Sequence, residues 1–271
     1  MWRIASSLFR YRSLLLTLTS RELKARYRGS VLGFFWSLIN PLMLLLVYTF
    51  VFNTIFATRD DHVSAYGPYA LFLATGVIPW TWVQTSWLEG TQSLLANAGL
   101  IRKASFPAEL LPAVSVLSNL VHLLLALPVV VAGFFVTELF GQATHVGPTA
   151  ALLPLLVLLQ LPQVAGLALG FAALNVHFKD IKDILNNLIT LLFFLTPILY
   201  SLKTLEPHPL IYRVVSLNPF APFARGYQEA VFYGRVPSAE LWLAMIASSA
   251  AVWFAGAWLF DRLSETLVEA V

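Results

Sequence analysis

The chain contains no cysteine. Disulfides, thiol nucleophiles and cysteine-bound metals are excluded, and the redox compartment cannot be read from thiol usage. Charge is also scarce: 11% of the 271 residues are Asp, Glu, Lys or Arg, against 58% hydrophobic, a balance far from that of a soluble domain. Uncharged stretches occupy 32–58, 63–88, 110–137, 139–178, 184–202 and 241–260, and a helix needs about 20 apolar residues to cross a hydrocarbon core. The sequence therefore predicts an all-α integral membrane protein with six spans. The fourth stretch is too long for one helix. Gly141 to Pro148 reads as a loop ahead of a span over 150–175, with kinks expected at Pro154 and Pro162. Gly166 and Gly170 have the small-residue spacing of close helix packing.

Because none of the six stretches holds an Asp, Glu, Lys or Arg, the midplane ionisable groups of proton relays and ion-coupled transporters are missing. His122 is the only histidine deep in a predicted span and reads as a hydrogen-bonded core residue. No nucleophile elbow, His-Glu-x-x-His or phosphate-cradling Gly-x-x-x-x-Gly-Lys-Ser/Thr occurs, so the chain has no means of hydrolysing ATP by itself. No catalytic, cofactor-binding or metal-ligating residue is nominated. A membrane-embedded glycan-modifying enzyme working through His122 or loop acids would need polar residues clustered on one cavity, and the sequence displays no such cluster. A passive channel or scaffold is a further alternative.

The charge that is present is concentrated. Arg21, Lys24, Arg26 and Arg28 are opposed only by Glu22 and precede the uncharged run directly, which joins a basic membrane-surface segment to a span. Leu8, Tyr11, Leu15 and Leu18 recur at helical spacing and suit a helix lying in the interface plane. Thr19 and Glu22 fit a capping box that would start a fresh helix. A simple topology anchor explains the same charge. The arginines are spread through Met1 to Ser30 rather than placed ahead of one apolar core, which predicts no cleavable signal. Twelve of the 17 Lys and Arg residues fall in segments 1–31, 89–109, 176–183 and 261–271, and this predicts both termini in the cytoplasm. The net charge of +3 then reflects topology and implies no nucleic-acid partner.

Three connections remain. Between spans two and three, Arg102, Lys103 and Glu109 mix with exposed-looking Ile101, Phe106 and Leu110, which suits docking into a groove of a soluble partner and equally suits a solvated loop. Asn175 to Asp183 carries both signs and is undecided. From His208 to Tyr233, apolar and polar residues alternate, and Asn218-Pro219 predicts a break between two short helices. That segment is either an amphipathic outer loop or a re-entrant pair dipping into the outer leaflet. Aromatics make up 14% of the chain; Tyr48, Phe52 and Phe56 recur every four residues, and Phe193, Phe194 and Tyr200 follow later. Such faces suit stacking on sugar rings, or lipid-facing belts and packing.

Arg-Tyr-Arg-Gly-Ser-Val-Leu-Gly-Phe-Phe-Trp-Ser-Leu-Ile-Asn-Pro-Leu at 26–42, Phe-Pro-Ala-Glu-Leu-Leu-Pro at 106–112, Asn-Val-His-Phe-Lys-Asp-Ile at 175–181, Phe-Phe-Leu-Thr-Pro-Ile-Leu-Tyr at 193–200 and Leu-Asn-Pro-Phe-Ala-Pro at 217–222 together resemble one family. They look like the membrane permeases of ABC polysaccharide exporters, which move O-antigen, capsule or teichoic-acid chains. The resemblance covers nearly the whole chain. It implies a single transmembrane domain over 1–271, with a cytoplasmic interface helix in 1–31, a six-span bundle over 32–260 and a cytoplasmic tail at 261–271. It further implies a homodimer in the bacterial inner membrane, working with two copies of a separate ATPase subunit that binds ATP and Mg, and translocating an undecaprenyl-linked polysaccharide, O-antigen foremost. By the same resemblance Arg21, Glu22, Lys24, Arg26, Arg28, Arg102, Lys103 and Phe106 would meet the ATPase. Trp36, Tyr48, Phe52, Phe56, Phe193 and Tyr200 would line the channel. Asn218, Pro219, Pro222, Arg225 and Tyr227 would belong to the outer gate helix pair between spans five and six.

Overall fold

The computed structural model describes residues 2–51, 63, 66–102, 106–139 and 147–267, and every regular element among them is helical. Helix is the expected form where hydrocarbon offers the backbone no hydrogen-bond partner. The order is α1 (Trp2–Arg10), α2 (Arg12–Arg26), α3 (Trp36–Phe50), α4 (Tyr69–Ala96), α5 (Ala98–Ile101), α6 (Leu110–Leu139), α7 (Leu153–His177), α8 (Ile181–Leu195), α9 (Pro209–Leu217), α10 (Ala221–Tyr227) and α11 (Ala239–Leu263). A 3-10 turn over Pro148–Leu152 leads into α7, and a π turn over Gln228–Phe232 prolongs α10.

Three of these helices, α6, α7 with its leading turn, and α11, are long and apolar enough to cross a membrane among the described residues. The six-span expectation is thus met in length and composition by three, and each remaining stretch departs for its own reason. α4 has 28 residues but carries Thr81, Gln84, Thr85, Glu89 and Gln92 in its body. α3 and α8 have 15 residues each, about 22 Å of rise against a core of about 30 Å. α8 stops because Thr196, ahead of Pro197, is extended (φ −93°, ψ 136°), the conformation proline imposes on its predecessor. By contrast α7 runs unbroken through Pro162.

Lipid tails are as apolar as leucine, so helices associate in a membrane through close packing. α7 and α11 do so at glycine: a Cβ at Gly166 would lie 2.6 Å from the Trp253 Cα, and one at Gly256 would overlap the Gly166 carbonyl. Gly170 also packs on Gly256, so the small-residue spacing does mark a packing seam, with a partner glycine that no local spacing pointed to. The main core joins α4, α6, α7 and α10, with Phe72, Trp87, Phe134, Phe223 and Phe232 fully enclosed.

The amphipathic face of the first helices is covered by protein. Leu15 packs with Leu110, Ala113 and Val114 of α6, flanked by Leu8, Tyr11 and Leu18, so α6 occupies the side expected to lie on lipid. The expected capping box is absent: Thr19 is buried inside the continuous α2 and its hydroxyl donates to the Leu15 carbonyl at 2.8 Å. The break falls at Tyr11 instead. Beyond α2, Gly29 and Gly33 take φ of 79° and 47°, the left-handed region open to glycine, and so turn the chain into α3.

Candidate functional site

Polar chemistry gathers at the two ends of α4. Tyr69 and Glu89, which mark these ends, are 20 residues apart in the helix, about 30 Å.

At the Glu89 end, two polar stripes face each other. Thr81, Thr85 and Glu89 recur every four residues on α4, and Ser115, Asn119 and His122 recur at helical spacing on α6. Arg26, at the end of α2, closes the set: its guanidinium donates to Glu89 Oε2 at 2.6 Å and to Asn119 Oδ1 at 2.9 Å. The Asn119 amide donates in turn to Glu89 Oε2 at 2.6 Å and to the Ser115 carbonyl at 2.9 Å. His122 lies 3.4 Å from Arg26 and 3.2 Å from the Tyr27 hydroxyl, so it is hydrogen-bonded as expected, but it stands half-buried at a cavity wall and not in the core. A cavity of about 330 Å³ opens beside this cluster, lined by Arg26, Tyr27, Trp36, Asn40, Thr85 and His122 among others. The expectation that no polar residues cluster on a cavity is therefore corrected. The members come from three helices, and what they form is a mutually satisfied network.

Around this network the residues nominated for partner contact divide. Arg21, Glu22, Lys24 and Arg28 are exposed, whereas Arg26 turns inward. Arg21, Lys24 and Arg28 line a shallow groove with Thr17 and Ser20. Arg21 and Glu22 also border a cleft of about 520 Å³ that reaches Leu100 and Leu111, so α2 and the 97–111 connection share one surface. Arg102 is exposed and Phe106 half-buried; Lys103 lies outside the described residues. Ile101 and Leu110, expected to be exposed, are buried at 6% and 0%, because they pack on α7 and α2 respectively.

The channel residues are not brought to one place among the described residues. Trp36 borders the cavity near Arg26, while Phe193 packs 6.1 Å from Trp80 and the Tyr200 hydroxyl donates to the Phe194 carbonyl. Tyr48 lies on α3, and Phe52 and Phe56 fall outside the described residues.

The Asn218-Pro219 break is present beside the middle of α4, where Phe220 packs 5.0 Å from Trp87 and 6.2 Å from Trp80 between ring centroids, and it is held by Asn218 itself. Its amide donates to Thr196 Oγ1 at 2.9 Å and to the Leu195 carbonyl, and its Oδ1 accepts from Phe220 N–H. The Pro219 carbonyl accepts from Gln163, and Tyr227 donates to Gln160 Oε1 at 2.9 Å. Pro222 is buried in the first turn of α10, which suits proline. At the Tyr69 end, Arg225 lines a second cavity, of about 320 Å³, with Tyr66, Lys203, Glu206, Tyr212, Glu229 and other residues. Glu89, Asn119, Gln160 and Glu229 were not nominated from sequence. The four-residue polar stripe in α4 was the available signal for the first of them.

A network of charge and an open polar cavity thus lie at opposite ends of one apolar helical bundle, and the family model for ABC-2 type transporters matches residues 13–232 of it. The chain belongs to the ABC-2 transporter family. Among the family's curated proteins it is 35% identical over its full length, and over the full length of the relative, to the O-antigen export system permease protein RfbA of Myxococcus xanthus. It is 31% identical to a protein of the same name from Klebsiella pneumoniae, over 82% of this chain and 81% of the relative. The polysialic acid transport protein KpsM of Escherichia coli is 22% identical over 80% of both chains. The ABC-2 match spans α2 to the end of the π turn and therefore takes in the Arg26 network and all of the second cavity's lining except Tyr233 and Arg235.

Proposed function

We propose that this chain is the membrane subunit of an ATP-driven exporter that carries a lipid-linked polysaccharide, O-antigen foremost, across the bacterial inner membrane. The observation that carries the reading is the full-length similarity to the Myxococcus relative named for O-antigen export. In this reading the bundle makes six crossings with both termini cytoplasmic. Two copies form the channel, and two copies of a separate ATPase bind ATP and Mg. The exposed basic face of α2 (Arg21, Lys24, Arg28, with Glu22) and the 100–110 connection with Arg102, Lys103 and Phe106 meet the ATPase; the cleft that Arg21 and Glu22 share with Leu100 supports a joint surface.

Arg26 acts differently. Its ion pair with Glu89 and its bond to Asn119 tie α2 to α4 and α6, so a displacement of α2 by the ATPase is passed to the bundle through a geometrically fixed guanidinium. Trp36, Tyr48, Phe52, Phe56, Phe193 and Tyr200 offer aromatic surface to a hydrated, undecaprenyl-linked chain. α9 and α10, hinged at Asn218-Pro219, form the outer gate with Pro222, Arg225 and Tyr227. The likeness to the polysialic acid transport protein supports capsule as a second cargo class; teichoic acid is a third.

The test is deletion of the gene followed by separate assay of lipid-linked glycan on each face of the inner membrane. Full-length glycan retained on the cytoplasmic face is the expected result. Normal export of a chemically altered glycan would overturn the reading in favour of an enzyme.

A further inference from the structure

We propose that the cavity at the Tyr69 end of α4 is a sugar-binding site that holds one or two residues of the exported chain as it leaves, an inference that rests on the glycan cargo above. Its volume, about 320 Å³, lies at the lower end of small-molecule sites, which run from about 300 to 1,000 Å³. Between Ala221 and Phe232 every residue is buried except Arg225 and Glu229, and both line this cavity. Lys203 and Glu206 join them from the 3-10 turn after α8. None of these four side chains has a hydrogen-bond or ion-pair partner among the described residues.

The aromatic part is built. Tyr66 and Tyr233 meet edge to face with centroids 5.0 Å apart, and Arg235 lies 4.9 Å over the Tyr66 ring while donating to the Tyr66 hydroxyl. With Arg235 committed to the rings, the uncommitted charges are two cations, Lys203 and Arg225, and two carboxylates, Glu206 and Glu229. That balance disfavours a phosphate, which the carboxylates would repel, and the polar lining disfavours a lipid tail. A sugar satisfies all of it. Its hydroxyls accept from a guanidinium and donate to a carboxylate, and its C–H face rests on a tyrosine ring. Tyr212 belongs to α9 and Arg225 to α10, so an occupant would touch both halves of the hinged segment.

The experiment uses the full chain in lipid nanodiscs, titrated with a lipid-free oligosaccharide released from the host's own surface polysaccharide by mild acid, and followed by saturation-transfer NMR. Saturable binding is expected, weakened about tenfold in Arg225→Gln and in Glu229→Gln, the effect of losing one charged hydrogen bond, and unaffected by excess inorganic pyrophosphate. Thermal melting should stay at the parental value in both variants, since neither side chain has a partner to lose. Glu206→Gln, at an exposed position, gives an independent third variant. Absent binding, equal affinity in all variants, or displacement by pyrophosphate would each overturn the sugar site while leaving the export reading intact; that reading fails only if the deletion strain exports normally.

Discussion

At the Glu89 end of α4, Arg26, Glu89 and Asn119 are joined by three hydrogen bonds of 2.6–2.9 Å and leave no charge uncompensated within the cluster. At the Tyr69 end, Arg225 and Glu229 stand at the wall of a cavity of similar size, each without a partner among the described residues. Like side chains on one scaffold therefore do opposite things. Mutual pairing makes the first end a joint between helices, whereas the second keeps its hydrogen-bonding capacity for something else. The distinction rests on geometry, because an unpaired polar group in a half-buried position costs free energy unless water or a ligand meets it.

The largest effect is expected where the joint is cut. Asn119→Ala removes a buried amide that bridges Arg26 and Glu89 and should cost about 1–3 kcal/mol, read as a lowered melting temperature of the detergent-solubilised protein. Glu89→Gln keeps the shape and one acceptor, and should lose less than Glu89→Ala; equal losses would mean that the joint is packing alone. Next in size is Arg26→Lys, since a single ammonium lacks the fork that serves Glu89 and Asn119 together. Its loss of about 1 kcal/mol should lower the melting temperature and, on the proposed function, reduce glycan export per ATP hydrolysed while leaving ATPase binding intact. Smallest, within about 0.5 kcal/mol, is Arg225→Gln at the other end. A large destabilisation there would erase the contrast by showing that this end too is structural.

The absence of native cysteine permits a cleaner version of the same comparison along the hinged segment. Leu210 and Leu217 of α9 are 77% and 83% exposed, whereas Phe223 of α10 is 1% exposed. Single substitutions Leu217→Cys and Phe223→Cys should therefore react fast and slowly with a membrane-impermeant maleimide. Protection of Leu217→Cys in the native membrane would show that α9 is covered there by lipid or by a second copy.

Much of this arrangement was legible beforehand. The break at Asn218-Pro219 follows from proline's effect on its predecessor, and close packing follows from Gly166 and Gly170. The basic face of α2 could be read from Arg21, Lys24 and Arg28. Other features were not. Thr19 and Glu22 satisfy the capping pattern, but Thr19 is drawn into a continuous helix by packing against α6, and tertiary burial outweighed the local signal. Leu110 read as exposed because it sits among loop residues, yet its side chain fills the space beneath Leu15. Glu89 lay one position beyond an uncharged run, and nothing local indicated that Arg26, 63 residues earlier, would meet it.

What the sequence determined by itself is whatever acts between near neighbours or on the chain as a whole: the helical character of the apolar stretches, the break at Asn218-Pro219, the membrane as solvent, and the ABC-2 family. Periodicity, proline sterics and hydropathy all operate over a few residues or sum over many. Only the tertiary structure decided which charges are spent on each other and which are left facing a cavity, and which half of 208–233 is buried. Those outcomes depend on distances of a few ångströms between residues far apart in the chain, where Coulomb attraction and close packing fall off too steeply for any local pattern to record them.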